Sequence, residues 1–170
     1  MKVLLINGSP HEKGCTYTAL KEVAGALEKN GIETQIFHIG KGAVHGCVAC
    51  GACANLGRCA FNDDPANEML QLMREADGIV IGSPVYYAGP NGALCALLDR
   101  AFLASKGSLA FKPAAAIASA RRGGVTTTFD RLNKYFTINR MPIVSSQYWN
   151  GVHGSQADDV AQDEEGLQTM

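Results

Sequence analysis

Four cysteines within thirteen residues, Cys47-Val48-Ala49-Cys50-Gly51-Ala52-Cys53 and then Cys59, give the spacing C-x2-C-x2-C-x5-C. This is the most specific chemical signal in the chain. Closely spaced thiolates can reach neighbouring irons, so the run suits a [4Fe–4S] cube, and the intervening Gly and Ala let the backbone wrap close to sulfur. Structural zinc sites more often pair two C-x2-C knuckles across a longer loop, which Cys53-x5-Cys59 does not supply. A redox dithiol at Cys47 and Cys50 leaves two cysteines unexplained. Cluster ligands, zinc or redox thiols, and free thiols of a structural loop all stay open at this point, with the cluster favoured. Cys95 shares a helical face with Leu94, Leu97 and Leu98 and reads as core. Cys15 opens a helix, where its pKa would be lowered; it reads as a phosphate contact, not a nucleophile.

Three further segments carry binding chemistry. Gly8-Ser9-Pro10-His11-Glu12-Lys13-Gly14-Cys15-Thr16 ends an apolar run and opens a helical one. Backbone N–H groups and hydroxyls at such a helix start make an anion site. The Walker pattern fails because Cys15, not Lys, follows Gly14. The dinucleotide pattern G-x-G-x-x-G is absent, and Phe37-His38-Ile39 offers no acid for a ribose hydroxyl. A phosphoacceptor would want acids where Asn7-Gly8 stand, and a phosphatase loop would want an Arg soon after Cys15. What remains is a single phosphate, as in a mononucleotide such as FMN. Ser83-Pro84-Val85-Tyr86-Tyr87-Ala88-Gly89-Pro90-Asn91-Gly92 places two tyrosines where a flat heteroaromatic ring could pack, although both could equally cap the core. Ser119-Ala120-Arg121-Arg122-Gly123-Gly124 brings arginines that could hold negative charge on a reduced flavin or stand solvated. No side chain is assigned as a catalytic acid or base.

These segments need a scaffold that brings them together. Strands are read at Val3–Ile6, Ile32–Ile39, Asp77–Ser83, Pro113–Ser119 and Pro142–Trp149. Helices are read at Thr16–Asn30, Pro65–Ala76, Asn91–Ala104 and Thr126–Asn139. Continuous apolar strands alternating with helices predict a parallel sheet covered on both faces. With five strands and right-handed crossovers, the expectation is a flavodoxin-like α/β three-layer sandwich of order 2-1-3-4-5. Its ligand edge lies beyond the carboxyl ends of the strands. The loops after strands 1, 3 and 4 should therefore meet. The organisation expected is a domain over residues 1–154 with a cysteine-rich loop at 40–64, then an acidic segment at 155–170. Ser155 is read there as the cap of a short helix, and the segment as a poor cover for strand 5, either a truncated final helix or a piece that docks on another subunit.

The 170 residues fit one domain, 46% of them hydrophobic and 18% charged. Fifteen basic against sixteen acidic residues leave a net charge of −1. That balance argues against a dedicated nucleic-acid binder. No apolar run approaches the ~20 residues of a membrane span. The opening MKVLLINGSP is too short for a signal peptide, so a cytoplasmic location without a disulfide framework is expected.

MKVLLINGSPHEKGCTYTAL, the cysteine quartet followed by Asp63-Asp64, GSPVYYAGPNGALCALLDR and the tail MPIVSSQYWNGVHG…DEEGLQTM resemble the NADPH-dependent FMN reductase superfamily. The quartet is similar to that of the iron–sulfur flavoproteins. The resemblance implies FMN at the three loops, with Ser9, His11, Gly14, Cys15 and Thr16 around its phosphate. Pro84, Val85, Tyr86 and Tyr87 would border the isoalloxazine ring, and Ser119, Arg121, Arg122, Gly123 and Gly124 its other edge. It implies a [4Fe–4S] cluster on Cys47, Cys50, Cys53 and Cys59, and a homodimer or homotetramer. The electron donor would be NAD(P)H or a small redox protein, and the acceptor a small molecule or quinone. Two departures stand out: His11 where the family often has Arg, and Cys15 where it often has Asn. The family also usually continues into a final helix beyond the position of Met170. Two other readings accompany this one: an NAD(P)H:FMN or quinone reductase without a cluster, and a non-catalytic flavin-binding sensor.

Overall fold

A computed structural model describes all 170 residues. The apolar run after Met1 forms β1 (Lys2–Asn7), buried from Val3 onward. Helix α1 (Cys15–Lys29) buries Thr16, Ala19, Leu20 and Ala24, and the chain returns as β2 (Glu33–His38). The cysteine loop holds a single short helix, α2 (Cys53–Leu56), before α3 (Ala66–Glu75). Strand β3 (Gly78–Tyr86) folds back onto a two-residue strand, β4 (Gly89–Pro90), and α4 (Gly92–Ser105) follows. The last elements are β5 (Ala114–Ala120), α5 (Val125–Ile138), β6 (Gly151–His153), α6 (Ala157–Ala161) and α7 (Glu164–Gln168).

The sheet runs β2-β1-β3-β5-β6, all parallel, with β4 paired antiparallel to β3. Counted by parallel strands this is the expected 2-1-3-4-5 order, and the hairpin strand β4 is the addition. Alternate residues of β1 feed opposite cores, as a period of two requires. Leu4 and Ile6 join α3, α4 and α5 on one face, while Val3 and Leu5 join α1 and Val160 of α6 on the other. Helices α4 and α5 are further tied by the Tyr135 hydroxyl, which donates to Asp99. Burial, and then that bond, hold the Tyr135 phenol well above its usual pKa.

Two expectations need correction. The strand expected over Pro142–Trp149 is not formed. Ile143 makes one bridge to Ala114, the chain then swings out through exposed Ser145–Trp149, and pairing resumes at Gly151 opposite Ala118. The reason lies in what the sheet can bury. Val152 is fully enclosed, whereas Ser145, Ser146 and Gln147 would bring polar groups into the core. Buried Asn150 closes the excursion, its Nδ2 donating to the Ala116 carbonyl at 3.1 Å. In the tail, Gln156 and not Ser155 caps α6. The Asp159 carboxylate accepts from the Ser155 and Gln156 N–H groups at 2.8 and 3.0 Å, completing a capping box.

Candidate functional site

The loops after β1, β3 and β5 meet beyond the carboxyl edge of the sheet, and named bonds hold them there. Buried Asn7 shapes the first loop: its Oδ1 accepts from Ser9 N at 3.1 Å and its Nδ2 donates to the Glu12 carbonyl at 3.0 Å. Ser9 Oγ accepts from His11 N at 3.0 Å, and His38 Nε2 lies 2.9 Å from the Ser9 carbonyl. Gly14 stands at the N-cap of α1 in extended backbone without any side-chain cap. The first-turn N–H groups of α1 therefore have no intrahelical partner, and Gly14 offers no side chain to cap them.

The second loop is fixed to the first by Asn91. Its Nδ2 donates to the Gly8 carbonyl at 2.8 Å, its Oδ1 caps α4 at Ala93 N, and its N–H donates to Ser83 Oγ. Gly8 N donates to the Gly82 carbonyl at 2.9 Å, which closes the same seam. The third loop joins through Thr16 and Ser119, whose buried hydroxyls bond each other at 2.8 Å. Gly124 (φ +98°) abuts the second loop, and a Cβ there would stand 2.8 Å from Ala88 Cα and from Val85 Cγ1.

Val85, Tyr87, Ala88, Ala120, Arg121, Arg122 and Gly123 line an open cleft of about 410 Å³ between the second and third loops. Tyr86 and Tyr87 are exposed and do not cap the core. Pro84, Tyr86, Ser119 and Gly124 flank this cleft without lining it, and Ser9, His11, Gly14, Cys15 and Thr16 belong to the neighbouring α1 terminus. Cys15 turns its Sγ toward the Gly154 carbonyl at 3.8 Å. Burial pushes its thiol up, with the Asp159 charge adding to the rise, against a smaller lowering from its own backbone N–H. The helix-start argument for a lowered pKa is therefore outweighed.

The cysteine loop lies on the α3/α4 side. Cys47, Cys50, Cys53 and Cys59 line one small cavity together with Phe61, Arg100 and Leu103. Left-handed backbone at Ala49 (φ +54°) and Gly51 (φ +72°) wraps the chain around it. Cys47 and Cys50 are exposed, Cys53 is half-buried and Cys59 is buried. No three Cys, His, Asp or Glu side chains converge on a single metal-ion position. Arg100 of α4, only 2% exposed, anchors the loop from within. Its Nε donates to Cys59 Sγ at 3.1 Å, its Nη1 to the His45 carbonyl at 3.1 Å and to Asp64, and its Nη2 to the Phe61 carbonyl at 3.4 Å. Burial works against ionisation of Asp64. Hydrogen bonds from Arg100, Ala66 N and His45 N more than offset it and hold the carboxyl below its ordinary range.

Sequence reasoning passed over Asn7, His38, Ser83, Asn91 and Arg100 as site residues. Asn91 carried a signal, being an Asn directly before a helix and after Gly-Pro. Arg100 carried another, a lone cation inside the apolar helical run ALCALLDRAFLA. His38 and Asn7 had none, because their roles depend on which strands become neighbours.

The profile of the family described as NADPH-dependent FMN reductase matches residues 1–156. An iron–sulfur flavoprotein of Methanocaldococcus jannaschii is 34% identical, over 99% of this chain and 91% of its own. An iron–sulfur flavoprotein of Methanosarcina thermophila is 32% identical, over 100% of this chain and 90% of its own. Among solved structures, a flavodoxin from the domain Archaea superposes with a TM-score of 0.63 at 14% identity, over 99% of this chain and 94% of that one. That last likeness bears on the fold alone.

Proposed function

This chain belongs to the NADPH-dependent FMN reductase family and is an FMN-dependent oxidoreductase, and from that premise we propose that it works as an iron–sulfur flavoprotein. Electrons would enter from NAD(P)H or a small redox protein and leave to a small-molecule or quinone acceptor. One observation carries the flavin part: an α1 terminus without a side-chain cap is braced by hydrogen bonds to the two loops that border an open cleft.

The first-turn N–H groups of α1, with Ser9 and the backbone near His11, would hold the phosphate of FMN. Thr16 and Ser119, already bonded to each other, brace the first loop against the third. Val85, Tyr87 and Ala88 would border the ring on one side. Arg121 and Arg122 would bring positive charge to the other, favouring an anionic guest. When bound, FMN supplies two-electron or one-electron chemistry. The chain's own part is binding, orientation and electrostatics.

For the cysteines, the donor set supports a cube: four thiols line one cavity, and their C-x2-C-x2-C-x5-C spacing lacks the two separated knuckles usual in structural zinc sites. A [4Fe–4S] cube takes one thiolate at each of its four irons, so four cysteines lining one cavity suit it in number. Purification without oxygen followed by visible absorption tests the reading. Flavin bands on broad absorbance that bleaches with dithionite are expected, and Cys50→Ala should lose iron while retaining flavin. Clean flavin bands with no iron would reduce the protein to a simple flavin reductase. Flavin that no nicotinamide or reduced carrier can reduce would point to the sensor.

A further inference from the structure

Arg100 is a fully buried cation whose guanidinium nitrogens are all engaged, and every one of its partners belongs to the cysteine loop. Nε lies on Cys59 Sγ, Nη1 on the His45 carbonyl and Asp64, and Nη2 on the Phe61 carbonyl, with the guanidinium 5.6 Å from the Phe61 ring centroid. Simple charge balance requires only Asp64. Packing alone would be met by an apolar side chain, since α4 is otherwise apolar on this face. Arg spends its remaining donors differently, on two carbonyls flanking the cysteines and on the sulfur of Cys59, the one buried cysteine of the four. A planar fork can serve sulfur, carboxylate and carbonyls at once, which a lysine ammonium cannot.

We propose that Arg100 is the positioning residue of the cysteine site: it aims Cys59 at the cavity and, through its N–H···S bond and its charge, raises the reduction potential of the cluster bound there. The inference rests on the cluster reading above. Reduction adds negative charge to the iron and sulfur atoms. A cation and a hydrogen-bond donor on a ligand sulfur, shielded from water, stabilise the reduced state over the oxidised one. Asp64 holds the fork in place from its far side. It touches none of the cysteines, so its role is confined to the arginine and the loop backbone.

The test is an anaerobic, EPR-monitored redox titration of the intact protein, with iron and flavin stoichiometry and thermal melting recorded for each variant. Arg100→Met combined with Asp64→Asn removes the pair together, so no buried charge is stranded. Arg100→Lys keeps the charge without the fork, and Asp64→Asn removes the counter-charge but still offers Nη1 an amide oxygen, so the fork and its bond to sulfur are kept. The double variant should shift the reduced-to-oxidised ratio at fixed potential at least tenfold toward oxidised, which for a one-electron couple is 59 mV. Arg100→Lys should fall between it and the wild type, and Asp64→Asn should not lower the potential. A double variant that keeps its iron at an unchanged potential overturns the proposal, as does Asp64→Asn lowering it equally. If the wild type takes up no iron on reconstitution, the cluster reading fails and this inference with it. A wild-type cluster indifferent to Arg100 defeats this inference alone.

Discussion

The cleft proposed for flavin is bordered by a hairpin with no glycine at either of its two loop positions. Tyr87 (φ +50°) and Ala88 (φ +57°) connect β3 to β4 in left-handed backbone, the conformation a two-residue hairpin demands and Asn-Gly usually supplies. Left-handed backbone costs about 1–2 kcal/mol per non-glycine residue, and strain of this kind collects at functional sites. Gly124 meets the hairpin from the opposite loop with no room for a side chain. Gly124→Ala should therefore lower stability by about 2 kcal/mol and push the hairpin away from the third loop. Denaturant unfolding and FMN titration by fluorescence quenching check the two effects. Loss of stability at unchanged FMN affinity would separate the hairpin from the ligand. Asn91→Ala removes both the α4 cap and the bond to Gly8, and should cost about 1–2 kcal/mol with a matching loss of flavin.

Helix α4 connects the loop after β1 with the cysteine loop. From Asn91, which ties its start to the loop after β1, to Arg100, inside the cysteine loop, it rises about 14 Å at 1.5 Å per residue. Asp64 makes that second attachment sensitive to acid. Its folded pKa lies below the unfolded value, so its contribution is complete above the ordinary carboxylate range and disappears as pH falls through the folded pKa. Asp64→Asn should lose about 3 kcal/mol at neutral pH and show a flatter acid limb in denaturant unfolding between pH 7 and pH 3. An unchanged acid limb would place the acid sensitivity elsewhere. The strands of this scaffold were legible because Val3–Ile6 and Gly78–Ser83 are apolar on both faces, which only a covered parallel strand tolerates. The three converging loops followed from the strand order. Arg100 was legible only as a lone cation in an apolar helical run; what it anchors depends on which loop folds over that face. The swing of Ser145–Trp149 out of the sheet was hidden too, because Pro-Ile-Val and Tyr-Trp look strand-like while burial decides by face.

Across the whole molecule, the end of the chain closes on its beginning. Residues 155–170 look like a polar tail by composition, yet they return to the α1 face of the sheet, where Val160 is 0% exposed among Ala19, Leu20 and Val152, with Leu167 and Met170 packed alongside. The approach is close: a Cβ on Gly154 would stand 2.9 Å from Val160 N and Asp159 Cβ. The Gly154 carbonyl and the Asp159 charge both act on Cys15, the first residue of α1. The segment is thus positioned to hold the helix terminus that would receive the flavin phosphate. Val160→Ala deletes two methyl groups from a filled site and should cost about 2–3 kcal/mol. In a protein of this size that is a fall of roughly 5–10 °C in Tm. Ligand binding to the folded state adds RT ln(1 + [L]/Kd) to stability. If the tail supports the α1 terminus, the increase in Tm given by saturating FMN should also shrink in Val160→Ala, because Kd rises. Melting curves with and without FMN read both quantities. A lowered Tm with an undiminished FMN increment would make the segment a structural cover only, and an unchanged Tm would show that its contacts with α1 contribute nothing to the fold.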